Sequence, residues 1–476
     1  MPMVSTTALP WLVLAGYAVL IWAIMPRRVD ATQFFGGASK SGTEPGLWLL
    51  VASAAITWIF AKSISNAANL GAAFGLWGGI GYALYYLSFG VVGIAIYFLR
   101  TRSGFGSLSS FLVAKYGPLC AKLFLLAISV RLFNEIWSNT KVGALYFGPE
   151  GSGDYWIAAG AITLFTLYYS WRGGLRSSLL TDGAQMLLAA ALLVAVLATA
   201  GPGLAASGLP DVGPAASAAG ITFCGLALVQ VLSYGFHDPV MTDRAFITRP
   251  GKMLRAFLLA GLVSGGFILL FSGVGLHARA LGLEGDPSVA LPAALGLPMM
   301  LVFNAIMLTS AGSTLDSTFA SAAKLGARDW ANDYAPPTER HSGRGRRMMI
   351  LIAALGNLPL LAIYFGDQAG PAIIAATTIS GTMVMGLAPI FLLAWIPTAG
   401  RLSFHLAFWP GLVLGALMTV ESAAGIQIFP AAMDIGSGKY ADDLGVNVFG
   451  LALCTAGYLT GAAIGALAPR RTAGAV

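Results

Sequence analysis

Apolar runs of about twenty residues recur along this chain from Leu9 almost to its last residues. A helix needs about 20 such residues to cross a bilayer, and a chain made largely of them has little surface to offer water. Only 10% of its 476 residues are charged, against about 25% in soluble domains. The apolar runs leave no room for an independent soluble domain. Sixty glycines would count against helices in water, but inside a membrane they let helices approach closely. The expected fold is therefore an all-α polytopic membrane protein.

Hydropathy places about thirteen spans, near 9–25, 46–70, 77–99, 119–147, 154–171, 177–200, 217–243, 253–280, 291–327, 346–366, 370–397, 403–424 and 445–468. The first lacks a basic region before it and a small-residue cleavage site after it, so it is read as a retained span. Cys120, Cys224 and Cys454 lie in separate apolar stretches. They form no metal or redox pattern and read as small buried side chains.

Charge tests the span count. With the N-terminus outside, the odd-numbered connections and the C-terminus hold 22 of the 27 basic residues, from Arg27 and Arg28 to Arg244, the group around Arg340, and Arg470 and Arg471. The outside connections carry Arg279 and Lys439 with acids such as Glu150, Asp154, Asp211 and Glu284. Basic residues concentrate on the cytoplasmic side, and an error of one span would scramble the asymmetry. The expected setting is a bacterial cytoplasmic membrane, with the N-terminus outside and the C-terminus in the cytoplasm. The net charge of +7 comes from these loops, so no nucleic-acid partner is expected. Nothing points to an obligate protein partner, and the bilayer is the solvent.

Eight charges remain inside spans: Lys62, Arg131, Glu135, Lys141, Asp182, Asp238, Asp243 and Asp316. Each costs about 2.5–3.5 kcal/mol at a membrane centre on insertion scales, so such residues face a cavity, a partner or an ion path. Lys141 and Asp243 are also near enough to a membrane face to snorkel. The set is too large for a passive anchor. On the ninth span, Ser310, Ser313, Thr314, Ser317 and Ser321 fall on one helical stripe. Hydroxyl oxygens are hard donors suited to a small cation, with Asp316 alongside. The alternative is helix packing, with each hydroxyl bonded to its own backbone. At 1.5 Å per residue, Ala61 and Ser313 each lie roughly 20 Å from the inner membrane face, a depth at which secondary transporters bind ions.

Two spans read as interrupted. Lys62 to Gly71 on the second combines polar residues with weak helix formers, and Pro239 breaks the seventh. They are five spans apart, as counterparts in an inverted five-helix repeat would be, and paired broken helices point to a transport site. No HExxH, GxSxG or paired-histidine pattern occurs, so no enzyme is expected. A channel or facilitator is the competing class.

Three motifs resemble the sodium:solute symporter family, which includes proline, sugar, sialic acid and pantothenate symporters. Gly173-Gly-Leu-Arg-Ser-Ser-Leu-Leu-Thr-Asp182-Gly-Ala-Gln185 is similar to that family's glycine-pair and TDxxQ signature. Phe236-His-Asp-Pro-Val-Met-Thr-Asp-Arg244 and Ser313-Thr-Leu-Asp-Ser317 with Arg328-Asp329 resemble its seventh- and ninth-span patterns. The resemblance implies a core of five plus five helices in inverted repeat, about 46–200 and 217–397, with extra helices at 9–25, 403–424 and 445–468. It implies sodium-coupled symport of a small organic solute by alternating access, or, if the coupling is absent or proton-based, a facilitator or proton-coupled carrier.

The family's main sodium site, carried onto this chain, falls on the carbonyls of Ala61 and Ile64 and on Ser310, Ser313 and Thr314. An auxiliary cation or proton site falls on Asp182, Ser313, Asp316 and Ser317. Lys62 departs from the pattern, which has a small or neutral residue there. It could pair with Glu135 or Asp316, bind a carboxylate on the solute, or replace the sodium with its own ammonium. The solute-binding candidates are Lys62, Ser65, Asn66, Asn134, Glu135, Phe236, His237 and Asp238. Lys62 tilts the reading toward an amino acid or another carboxylate.

Overall fold

The computed structural model describes residues 8–467, without the side chains of 207, 367–369 and 371. Arg470 and Arg471, counted above with the cytoplasmic charges, lie outside the described residues. Among the described residues the regular structure is all helical, and eight helices are long and apolar enough to cross a bilayer. A bent pair, Leu47–Trp58 and Ala61–Phe74, makes a ninth. Leu9–Ile24 is shorter, Pro118–Ala144 carries the charges of span four, and Gly153–Ser207 contains spans five and six. Span eleven is split into Gly366–Ala376 and Leu387–Leu392. These segments correspond to the thirteen expected spans.

Local chemistry explains where the helices break. Between spans five and six the chain turns at Gly174, where φ is 52° and ψ is −142°. A side chain there would also meet the Phe34 carbonyl at 2.4 Å, so glycine is required on both counts. The glycine pair of the signature is thus a mechanical corner. The expected ninth span, 291–327, is divided by Gly296 at φ 95° into a short helix, Pro287–Leu295, and the main helix Leu297–Lys324. Two short helices that hydropathy did not register, Ala31–Gly36 and Leu108–Tyr116, lie in connections. The first is capped reciprocally by Asp30 and Gln33, the pairing that satisfies two orphan donors at a helix start.

Span two breaks at Ile59 (φ −81°, ψ 65°) and Phe60 (φ −59°, ψ 148°), and its halves meet at 61°. The break therefore precedes the polar run Lys62–Gly71, which is helical. Its polar side chains find partners, Ser63 with Tyr82 and Ser65 with Asp286, so they need not disrupt their own helix. Gly71 packs the same half against span eight, Pro250–Ala280. A Cβ on Gly71 would meet the Ser272 carbonyl at 2.4 Å, and one on Gly275 would meet the Ala68 carbonyl at 1.8 Å. Span seven runs as Gly213–Tyr234, one tight turn over Gly235–His237, and a second helix Pro239–Arg244. Asp238 is extended and caps the second half, accepting from the amides of Val240 and Met241. Pro239 opens that helix, where its missing N–H costs nothing.

Candidate cation and solute sites

Spans six and nine face each other through a ladder of polar side chains with no exposure to solvent. Ser178 meets Ser317 at 2.9 Å, Thr181 donates to Asp316 at 2.9 Å, and Ser313 donates to Asp182 at 2.5 Å. Rising numbers on one helix meet falling numbers on the other, so the two run antiparallel here. Of the stripe read from the sequence, Ser313 and Ser317 bond across this seam. The Thr314 hydroxyl donates to the Ser310 carbonyl at 2.9 Å. Ser310 Oγ is buried and has no hydrogen-bond partner among the described residues. The protons of Ser313 and Thr314 are thus committed elsewhere, which leaves their oxygen lone pairs free for a cation.

The first half of span two lies against the same seam. Ser53 donates to Asp182 at 2.6 Å, and Thr57 Oγ1 stands 3.4 Å from Ser317 Oγ. At the break, the Trp58 carbonyl accepts from the Tyr86 hydroxyl at 2.7 Å. Among the described residues no hydrogen bond reaches the carbonyls of Thr57 or Ile59. Ala61 and Ile64, expected to offer carbonyls, lie within the regular helix Ala61–Phe74, where carbonyls bond to amides one turn on. The free carbonyls precede both residues.

Asp316 accepts from Tyr169, Thr181 and Ser317 at 3.0, 2.9 and 3.2 Å and forms no ion pair among the described residues. Tyr17 of span one enters the same region. Its hydroxyl accepts from Gln185 at 2.6 Å and rests where a Cβ on Gly312 would be.

Toward the acidic end of the bundle, a cavity of about 860 Å³ opens beside the second half of span two. Trp58, Phe60, Tyr82, Tyr85 and Tyr234 line it, with the amides of Asn66, Asn69, Asn134 and Gln230. It shares Trp137, Thr378, Ser380 and Lys439 with a second space of about 990 Å³, whose rim carries Glu150, Glu421, Asp442 and Asp443. On its floor, Lys62 Nζ donates to Glu135 at 2.7 Å and to Asn134 at 2.8 Å. Arg131 pairs with Glu135 at 2.6 Å and with Asp238 at 3.2 Å. Two cations and two anions balance, but only the Lys62 side chain is appreciably exposed, at 20% against 1–3% for the other three. The charge presented to the cavity by this group is therefore positive.

The expected solute residues divide. Lys62, Asn66 and Asn134 line the cavity. Glu135 and Asp238 lie behind them as counter-ions, and Lys62 pairs with Glu135 rather than Asp316. Ser65 turns away to Asp286 at 2.7 Å. Phe236 stacks on Phe391 with ring centroids 4.5 Å apart, a core contact. His237 is fully buried, with Nδ1 on the Tyr234 carbonyl and Nε2 unpartnered among the described residues.

Arg244 requires a correction of a different kind. Read as a basic loop residue, it is fully buried and pairs with Asp182 at 3.0 Å. A position near a span end reads as cytoplasmic, yet the break at Asp238 carries the following helix back into the protein. The aromatic cavity wall was also missed, because aromatic residues in an apolar span carry no signal of which face they occupy.

No protein-family model matches the sequence, and no curated protein does. Solved structures share the fold at low identity. A Na+-coupled sialic acid symporter, in a substrate-bound outward-open state, superposes with a TM-score of 0.70 at 14% identity, covering 96% of this chain and 97% of that one. Mhp1 in an inward-facing conformation gives 0.55 at 14% identity, covering 89% and 92%. A manganese transporter from Eremococcus coleocola gives 0.51 at 10% identity, covering 92% and 99%. The chain is thus an all-α membrane protein with the inverted-repeat fold of these transporters.

Proposed function

We propose that the protein is a secondary transporter of the sodium:solute symporter type, coupling a small organic solute to sodium by alternating access. The observation that carries this reading is the buried stripe of Ser310, Ser313 and Thr314 on span nine, whose neighbour Ser317 meets Thr57 just before the span-two break. Among the described residues the stripe's lone pairs accept no hydrogen bond, and the carbonyls of Thr57 and Ile59 at the break accept none either. Those two carbonyls take the part first assigned to Ala61 and Ile64. Hydroxyl and carbonyl oxygens together make a donor set for a small hard cation.

The solute enters the aromatic cavity from the acidic end, which is the outer face in a bacterial cytoplasmic membrane with the N-terminus outside. The exposed ammonium of Lys62 favours a carboxylate, whether an amino acid or a simple acid. Two of its protons are engaged, and the third remains for the solute. The aromatic wall packs the solute body.

The test is initial-rate uptake into proteoliposomes of labelled amino acids, carboxylates and sugars, in sodium and in choline. The proposal expects a carboxylate-bearing solute whose uptake requires sodium. Uptake at equal rates in both buffers would favour a facilitator, and uptake driven only by a pH gradient would favour a proton-coupled carrier.

A further inference from the structure

Arg244 ends the short helix after the span-seven break, and its guanidinium is sealed within the seam. Its Nε donates to Ser53 at 2.8 Å and its Nη1 to the Val240 carbonyl at 2.9 Å. Its Nη2 reaches Asp182 at 3.0 Å, Ser178 at 3.1 Å and Ser317 at 2.6 Å. Asp182 and Ser317 are two of the four residues to which the resemblance assigns an auxiliary cation.

A carboxylate offers about four lone-pair positions. Asp182 receives four donors, with Ser53, Ser178 and Arg244 on Oδ2 and Ser313 on Oδ1. Oδ2 is saturated and Oδ1 keeps one lone pair, but the Arg244 guanidinium bridges Asp182 and Ser317, occupies the space between them and would repel a metal ion there. The buried charges point the same way. Asp182 and Asp316 carry two negative charges, Arg244 supplies one positive charge, and Asp316 has no ion pair among the described residues. Uncompensated buried charge is strongly disfavoured, and a single positive charge, either one proton on Asp316 or one monovalent cation, restores the balance, so the seam has room for at most one cation.

We infer that Arg244 is a tethered substitute for a second cation, so that one sodium ion is bound per chain. This rests on the sodium-coupled reading above. The experiment is equilibrium binding of radioactive sodium to the purified full-length protein in detergent, for wild type, Arg244→Ala and Ser313→Ala. Wild type should saturate near one sodium per chain with a Hill coefficient near 1. Folded Arg244→Ala should bind a second ion at the uncovered Asp182, with a Hill coefficient rising toward 2.

Two ions bound to wild type would overturn the inference and leave sodium coupling standing. No sodium bound to wild type would instead remove the coupling reading itself. Folded Arg244→Ala that still binds one ion would also overturn the inference. Should that variant fail to fold, the wild-type count decides.

Discussion

The hydroxyl of Ser313 donates to Asp182 at 2.5 Å, tying the middle of span nine to the signature segment of span six. The bond commits the Ser313 proton to Asp182 and leaves the lone pairs of its oxygen free for a cation. Ser313→Ala removes one oxygen donor and frees one lone-pair position on Asp182. Sodium affinity should fall roughly 10-fold or more, since even outer-shell changes at metal sites cost about 10–100-fold. The check is the sodium concentration needed to raise the thermal unfolding midpoint. An unchanged requirement would take Ser313 out of the site.

Arg244 and Asp182 form a buried pair whose members are 1% and 0% exposed. Removing one partner of such a pair costs about 3–5 kcal/mol, whereas replacing both is far milder. Arg244→Gln and Asp182→Asn should each lower the unfolding midpoint sharply in sodium-free buffer. The double variant Arg244→Gln with Asp182→Asn should lose much less. Additive losses in this cycle would show that the two residues act independently.

Lys62→Ala should raise the half-saturating concentration of a carboxylate-bearing solute about 10-fold, equivalent to about 1.4 kcal/mol. Fold stability should fall less, because Glu135 keeps Arg131 at 2.6 Å. Initial-rate uptake separates the two effects. Full uptake of such a solute by Lys62→Ala would remove the carboxylate assignment.

Gly275→Ala should destabilise the crossing of spans two and eight by about 1–3 kcal/mol, the usual cost of overpacking. The obstacle is backbone, the Ala68 carbonyl, which cannot swing aside. Gly266→Ala on the same helix, where a Cβ meets nothing within 4 Å, should be neutral or mildly stabilising. Thermal unfolding of both variants makes the comparison.

Glu44, in the connection before span two, accepts from Lys252 at 2.5 Å, and this bond holds its carboxyl below the usual carboxylate range. A depressed folded-state value means that the contribution is present above the unfolded carboxylate value, about 4.3. It is lost as pH falls through the lower folded value. Unfolding midpoints of wild type and Glu44→Gln should differ slightly at pH 7 and converge below about pH 4. A gap that persists in acid would contradict this.

Much of the fold was legible because membrane burial writes itself into composition. The thirteen spans, the Ser310–Ser317 stripe and the broken seventh span all followed from residue type and period. The true break in span two did not, because Ile59 and Phe60 are apolar and nothing local distinguishes a free carbonyl from a bonded one. The polar run just after it misled for the complementary reason, since its partners Tyr82 and Asp286 are distant in sequence. Arg244 was hidden by its place near a span end, where a basic residue ordinarily meets water. The glycine pair was legible only as a pattern, and its cause is the φ of 52° at Gly174 against Phe34.

The most direct test of the central claim is the steady-state accumulation ratio of the best solute in proteoliposomes under an imposed inward sodium gradient. Wild type should concentrate the solute above the external level only while the gradient lasts, and Ser313→Ala should do so poorly at the same sodium concentration. Accumulation that persists without sodium, or a ratio that never exceeds one with it, would contradict sodium-coupled symport.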